Sequence, residues 1–502
     1  MHEAGGRIAL QILHAGRYSY QPLSVSASSI KAPINPRPRR LTSRGVRWQI
    51  RNFVRCARLA QHAGYDGVEI MGGEGYFINQ FLAARTNKRT DGWGGSPQRR
   101  RRIAVEIVRR TRAAVGADFL ILFRLSIADL VEQGQAWADI VALAKELEAA
   151  GVTIINTDIG WHESRVPTIV TSVPRAAFVE FTAKLAKEVT IPVAAANRIN
   201  MPETAEEILT SGAAQLISMA RPMLADPDWV RKAAAGHAED INTCIGCNQA
   251  CLDHAFAHQT VSCLVNPRAC HETELRLLPT RRAKAIAVVG AGPAGLSAAV
   301  NLARRGHRIQ LFEAGGELGG QFGIARKIPG KEEFSETIRY FTRQLQLAEV
   351  TVHLNTTATA EQLAGGGFDE VVLATGVTPR IPVIPGIDHP TVLSYAELVR
   401  GAKPVGAKVA VIGAGGIGID ICEYLTHQSS PSTDLAEWQA EWGVFTDDDA
   451  EGGLREPKPA PSPRQVYLLQ RKQPRSGPTS ARPPAGCTAR RSRPRASSRS
   501  AA

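Results

Sequence analysis

Over the first 235 residues, short apolar runs of strand length alternate with longer amphipathic stretches of helical period, and this alternation restricts the fold most. The apolar runs fall at 8–13, 67–71, 119–125, 152–157, 191–195 and 214–219. Between them lie helix-like segments such as 97–115, with Ile103, Val105, Ile107 and Val108, and 135–150, with Ile140, Leu143 and Leu147. Strands joined by helix-length crossovers pair in parallel, so repeated β–α units predict a parallel α/β fold. The separations suit a (β/α)8 TIM barrel, whose chemistry sits at the C-terminal ends of its strands. Six strands are legible where a closed barrel needs eight: either two are not legible or the chain starts late in the barrel.

The rhythm breaks at 241–280, a cysteine-rich loop segment. A new α/β region opens at Ala285–Gly290, and a second such opening occurs at Lys408–Gly413. Residues 428–463 are rich in Ser, Pro, Asp and Glu and read as an irregular insertion before the strand Gln465–Leu469. Residues 473–502 contain no Ile, Leu, Val, Met, Phe, Tyr or Trp, so they are expected to be a disordered Arg/Pro/Ser tail. The expected division is therefore 1–235, 236–282, 283–402, 403–472 and 473–502.

Charge helps to sort function classes. The chain carries a formal +13, which invites a nucleic-acid or membrane reading. Seven arginines and no acid fall in 473–502, leaving +6 for the preceding 472 residues. That tail has no interleaved aromatics, so no nucleic-acid partner is expected. The most apolar stretch, 285–303, is broken by glycines, a proline and an asparagine, and no signal peptide is legible. A cytoplasmic protein without a membrane partner is the expectation, and oligomeric state is not legible. Eight cysteines in 502 residues are too dilute for a disulfide scaffold.

Four of those cysteines are spaced Cys244-x2-Cys247-x3-Cys251-x11-Cys263. Four thiolates within one short segment can converge on an iron–sulfur cluster or on zinc, and three-then-one spacing near redox-cofactor loops favours the cluster. Gly290-Ala291-Gly292-Pro293-Ala294-Gly295 follows a strand and opens a helix, and Glu313 ends the next strand. Glycines there allow a tight turn and close approach of backbone to a pyrophosphate, with the acid placed for ribose hydroxyls, as a flavin dinucleotide requires. Gly413-Ala414-Gly415-Gly416-Ile417-Gly418 repeats the logic and implies a second dinucleotide. Its next strand ends in Gln470-Arg471-Lys472, cations suited to the 2′-phosphate of NADP, or else merely solvated.

Within the barrel region, Tyr76 and His162 both follow strand ends, where a phenol and an imidazole could donate a proton and support it. Buried structural roles are the competing reading of both. Arg124, Asn197-Arg198 and Ala220-Arg221 also follow strands, where cations and backbone amides suit a flavin mononucleotide phosphate or surface salt bridges.

Taken together, the segments IALQILHAGR (8–17), GGEGYFINQF (72–81), RTNKRTDGWGG (85–95), IINTDIGWHE (154–163), SMARPMLAD (218–226) and INTCIGCNQACL (241–252) resemble the bacterial NADPH-dependent 2,4-dienoyl-CoA reductases, among the old-yellow-enzyme-like iron–sulfur flavoproteins. The resemblance implies an FMN-bearing barrel, a [4Fe–4S] cluster, then FAD and NADPH domains. It implies that NADPH reduces FAD and that electrons cross the cluster to FMN, which reduces a 2,4-dienoyl-CoA. By that resemblance Tyr76 protonates the α-carbon and His162 assists. FMN contacts fall on Gln11, Arg124, Arg198, Ala220 and Arg221, and cluster ligands on Cys244, Cys247, Cys251 and Cys263. FAD contacts fall by the resemblance on Gly292, Glu313 and Gln321, while the glycine motifs themselves add Gly290 and Gly295 for FAD and Gly413, Gly415 and Gly418, with Arg471 at the next strand end, for NADPH. Substrate entry falls on Arg85, Thr86, Asn87 and Lys88. Related ene-reductases and amine dehydrogenases share the plan, while Trp161-His162-Glu163 and the Tyr76 loop favour the dienoyl-CoA reductases. Two departures accompany the resemblance: the family's first two barrel strands precede residue 1, and its sequence continues past Lys472, where a reading-frame change is the expectation. An open barrel exposes strand edges, so an inactive fragment is a further expectation.

Overall fold

In the computed structural model, which describes residues 1–33, 35–470 and 487–491, six parallel strands follow one another in sequence order. They are β1 (Ala9–Ile12), β2 (Gly67–Gly72), β3 (Leu120–Ala128), β4 (Ile154–Ile159), β5 (Val193–Ala195) and β6 (Leu216–Ile217). Every legible strand of the N-terminal region is present, and the β/α succession is that of a TIM barrel. Among the described residues β1 and β6 form the two ends of this sheet.

Helices cover the apolar face for reasons visible locally. In α1 (Ser43–His62), Val46, Ile50, Phe53, Ala57 and Ala60 recur at three- and four-residue spacing and are buried, and the Thr42 side chain caps the start by accepting from Gly45 N. In α3 (Pro97–Val115), Ser96 caps the first turn and proline occupies its first position, while Ile103, Ile107 and Val108 pack inward. The side-chain period of two then sorts the strands. Val68, Ile70, Ile121, Phe123 and Ile155 are fully buried on the helix-covered face. Gln11, Glu69, Arg124, Asn156 and Asp158 lie on the opposite face.

The chain forms two compact units: Met1–Ile169, Val173–Ala220 and Trp438–Lys458 make the first, and Val170–Ser172, Arg221–Glu437 and the chain from Pro459 the second. Within the second, a four-stranded parallel sheet has the order β9 (Thr351–His353), β8 (Arg308–Phe312), β7 (Ala285–Val289), β10 (Glu370–Leu373). The first strand thus lies between the second and the last, the order of a Rossmann-like dinucleotide fold. A further parallel sheet has the order β11 (Lys408–Ile412), β12 (Gln465–Gln470), β13 (Cys487–Arg491).

Two expectations are corrected. Within the irregular insertion expected at 428–463, Leu435–Trp442 is helical, and Trp438–Lys458 belongs to the barrel unit, with Trp438 and Val444 buried. Its polar composition concealed a few large apolar anchors. Within the disordered tail expected at 473–502, Cys487–Arg491 is a strand paired with β12 from Val466↔Cys487 to Gln470↔Arg491. Strand pairing is made by backbone groups, so a segment without large apolar residues can still form it. Arg471 lies outside the described residues. Among the described residues no helix is long and apolar enough to cross a membrane.

Candidate active site

The polar face of the barrel sheet forms a connected floor. Gln11 Nε2 donates to Glu69 Oε2 at 2.7 Å, and Asn156 Nδ2 donates to Glu69 Oε1 at 2.6 Å and to Ser218 Oγ at 3.2 Å. Arg124 Nη2 donates to Asp158 Oδ1 at 3.0 Å and lies 3.9 Å from Glu74 Oε1. Burial raises the pKa of Asp158 and of Glu74, opposed in each by the charge of Arg124. One cation beside two buried carboxylates favours a proton shared between them. Asn156 Oδ1 is buried without a hydrogen-bond partner, an acceptor that the ring N–H of a flavin would satisfy. The residues here therefore fit FMN, with Gln11 and Arg124 on the same floor.

Tyr76 and His162 are brought together at one end of that floor. The turn after β2 runs through Glu74 (φ 55°) and Gly75 (φ 75°) into Tyr76, which precedes α2 (Phe77–Leu82). A Cβ at Gly75 would lie 2.7 Å from the Trp161 ring and 2.8 Å from the Tyr18 hydroxyl, so only glycine permits this approach. His162 comes from the turn after β4. The Tyr76 and His162 rings meet edge-to-face with centroids 5.0 Å apart, and His162 Nε2 lies 3.8 Å from Glu74 Oε2. Burial, then the Glu74 and Asp158 carboxylates, pushes the Tyr76 phenol above its ordinary value. Burial lowers His162, offset by Asp158. At neutral pH the site holds a phenol that keeps its proton beside a neutral imidazole, a donor and a polarising group in contact.

Two further residues complete this cluster, Tyr18 and Glu163, neither of which carries a site role in the sequence reading. The Tyr18 ring stands edge-to-face to Tyr76 at 6.0 Å and to His162 at 5.2 Å, and its hydroxyl donates to Glu163 Oε1 at 2.8 Å. Burial pushes the Tyr18 phenol up to about 12. Glu163 also accepts from Arg17 Nη2, and from Arg85 Nη2 at 3.3 Å. Both lie in or beside segments that carry the family resemblance, GRY and GWHE, so the signal was local but their pairing was not.

Of the four expected substrate-entry residues, Lys88 is exposed and Arg85 is half-buried with its guanidinium on Glu132 O and Glu163, while Thr86 and Asn87 are structural in contact. Thr86 Oγ1 donates to Gln80 O at 2.9 Å, and Asn87 Nδ2 to Phe81 O and Trp93 O, with both side chains buried. Past β5, Asn197 (φ 69°) and Arg198 (φ 55°) are consecutive left-handed residues, backbone strain of the kind concentrated at ligand sites, and Arg198 is buried with Nε donating to Val173 O. Ala220 closes the same unit and is exposed, whereas Arg221 opens the other, where its Nη1 donates to Asn248 in the cysteine loop.

In the second unit Cys244, Cys247, Cys251 and Cys263 are all part-buried. Burial raises Cys247, and Cys263 to about 11, with neighbouring cysteines of the four adding to each. Among the described residues no three His, Cys, Asp or Glu side chains converge closely enough for a single metal ion. Four part-buried thiols in one loop segment are a donor set that an iron–sulfur cluster can use.

The glycine loops show why glycine is needed. A Cβ at Gly295 would lie 1.8 Å from Gly290 O, and one at Gly418 1.8 Å from Gly413 O, while Gly292 and Gly415 face open space before their helices, Pro293–Arg304 and Gly416–Thr426. Glu313 accepts from Ala291 N and Gly315 N at 2.8 Å each, bracing the first loop. Gln321 Nε2 donates to Val377 O at 2.7 Å and its Oε1 accepts from Tyr395. Both loops fit a dinucleotide pyrophosphate at a helix N-terminus.

Comparison with known proteins follows this division. Residues 1–240 match the NADH:flavin oxidoreductase / NADH oxidase family, and residues 284–441 match the pyridine nucleotide-disulphide oxidoreductases. A metal reductase of Desulforamulus reducens is 38% identical across 83% of this chain, which spans 64% of that protein's length. A cinnamate reductase of Clostridium sporogenes is 32% identical, covering 86% of this chain and 68% of its own. Among solved structures, 2-naphthoyl-CoA reductase in complex with 2-naphthoyl-CoA is 31% identical with a TM-score of 0.82, covering 93% of this chain and 69% of that one.

Proposed function

We propose that the chain, which belongs to the NADH:flavin oxidoreductase / NADH oxidase family and carries a pyridine nucleotide-disulphide oxidoreductase region later in its sequence, serves a flavin-dependent NADPH oxidoreductase that reduces a carbon–carbon double bond conjugated to a CoA thioester, with 2,4-dienoyl-CoA as the substrate. The observation that carries this reading is the contact of Tyr76 with His162, a retained phenolic proton beside a neutral imidazole. The solved relative whose complex holds a CoA thioester, and the cinnamate reductase, support the substrate chemistry.

FMN is assigned to Gln11, Arg124, Arg198, Ala220 and Arg221. FAD is assigned to Gly290, Gly292, Gly295, Glu313 and Gln321, the cluster to the four cysteines, and NADPH to Gly413, Gly415, Gly418 and Arg471. When bound, these groups supply the electrons and the hydride of the reduction. The chain's own part is to place a proton. Tyr76 Oη holds it and delivers it to the substrate's α-carbon as negative charge develops there. Neutral His162 polarises the phenol, and Glu74 on Arg124 keeps the local charge balanced. Arg85 and Lys88 face the CoA portion.

The test compares 2,4-dienoyl-CoA with a simple enone as substrates of the purified flavoprotein. The expected result is NADPH-dependent turnover of the thioester that falls by about 10²- to 10⁴-fold in Tyr76→Phe with flavin content unchanged. Turnover of the enone alone, or full thioester activity in Tyr76→Phe, overturns the reading.

A further inference from the structure

The first unit contains a strap that the proposed chemistry leaves unused. The chain leaves this unit at Ala220 and contributes Trp438–Lys458 to it more than two hundred residues later. The strap is closed on itself by a Val444↔Leu454 bridge and by Arg455, which pairs with Asp447 and Asp449. It is pinned along the helix Val179–Ala186: Trp438 stacks edge-to-face on Phe178 at 5.7 Å, Thr446 Oγ1 donates to Glu180 at 3.0 Å, and Lys184 pairs with Asp448.

Its tip meets the loop 129–136 that follows β3. Leu130 N donates to Gly452 O at 2.8 Å and Gly452 N to Gln135 O at 3.1 Å. A Cβ at Gly452 (φ +67°) would lie 2.6 Å from Val131 O, so the tip fits against that backbone only as glycine. The loop is strained, with Leu130 (φ 51°) and Gln133 (φ 55°) both left-handed, and needs outside contacts to hold its shape. It also carries the mouth of the site. Gln133 O accepts from Arg85 N and Glu132 O from Arg85 Nη1 at 3.3 Å, Gln133 Oε1 accepts from Lys88 Nζ at 3.1 Å, and Asp129 O accepts from Trp161 N, the residue before His162.

We propose that the strap Trp438–Lys458 is a specificity-determining positioning element: by fixing the strained loop 129–136 it holds Arg85 and Lys88 where they meet an anionic substrate head, the phosphates of a CoA thioester. The inference rests on the proposed thioester substrate. A neutral enone has no anionic head, so the strap is immaterial to its binding.

The experiment measures KM and kcat for 2,4-dienoyl-CoA and for a neutral enone in the wild type, Gly452→Ala, Lys184→Met and Gln133→Ala, each checked for flavin content. The expected result is a KM for the thioester raised about fivefold to tenfold, the size of one or two exposed ionic contacts, with kcat and both enone parameters unchanged. Amide hydrogen exchange at 129–136 should rise in Gly452→Ala and Lys184→Met but not in Gln133→Ala, which removes only the side-chain contact to Lys88. If Gly452→Ala fails to hold flavin, Lys184→Met decides. Thioester and enone KM values that rise together, or no change in either, overturn the inference. A wild type that reduces the enone and not the thioester overturns the proposed function, and the inference with it, without recourse to any variant.

Discussion

Replacing Glu163 by alanine should destabilise the barrel unit by about 3–5 kcal/mol, the cost of stranding a buried charge. The side chains of Arg17 and Glu163 are 2% and 8% exposed, and Glu163 is the carboxylate paired with Arg17 among the described residues. Arg17 has few other polar partners: Nη1 reaches Lys31 O at 3.3 Å and Nε is buried without a partner, while the Tyr18 and Trp161 rings lie 5.3 and 5.7 Å from its guanidinium. Burial disfavours the charged form, yet an arginine stays protonated at any working pH, so without Glu163 the cost falls on the packing of its segment. Glu163→Gln keeps an oxygen for Arg17 and for the Tyr18 hydroxyl while removing the charge, and should cost about 1.5–3 kcal/mol. The double replacement Arg17→Met with Glu163→Leu removes both charges and should cost far less than the two single changes summed. Urea unfolding followed by tryptophan fluorescence reads this unit, because Trp48, Trp93, Trp137, Trp161, Trp438 and Trp442 lie in it, six of the chain's seven. A Glu163→Ala variant within about 1 kcal/mol of wild type, or a double variant at the sum of the singles, would refute the argument that the pair is held by mutual need.

Since burial and neighbouring carboxylates raise Tyr76, its proton is retained through the ordinary tyrosine range, and thioester turnover should show no alkaline loss below about pH 10; a Tyr76-dependent limb centred well below that sinks the assignment of the donor. Cys251→Ala should reduce iron per chain to background and abolish the broad visible absorption of a cluster, whereas zinc found in the wild type by elemental analysis would replace the cluster reading. Gly295→Ala, whose methyl would lie 1.8 Å from Gly290 O, should lower FAD content while leaving FMN in place; equal FAD in the variant would mean that the loop is not a pyrophosphate site.

The parts of this molecule that were legible in its sequence are those whose cause is local. A strand that alternates with a helix writes its period into adjacent residues, and all six barrel strands were recovered. A glycine forced by an approach three to five residues away, as at Gly295 against Gly290 O, is similarly self-contained. Tyr76 and His162 were placed at strand ends by that same periodicity, and the barrel topology then brought them into contact. What escaped depends on pairs far apart in the chain. Arg17 meets Glu163 across 146 residues, and neither position departs from ordinary composition.

The strap shows the same point in its strongest form. Residues 428–463 read as irregular because Ser, Pro, Asp and Glu dominate them, yet Trp438 and Val444 are buried as deeply as any strand residue. Two apolar anchors and one glycine against a facing backbone suffice when the surface they meet, Phe178 and the loop after β3, is already built. Hydrophobic periodicity reports segments that must organise themselves; it is silent on segments that borrow an existing surface. The same logic applies to Cys487–Arg491, where the exposed edge of β12 supplies the order that the composition could not predict. A polar stretch flanked by well-formed elements is therefore better judged by its few large side chains and its glycines than by its average, and here that difference separates a loose insertion from the element we assign to the substrate mouth.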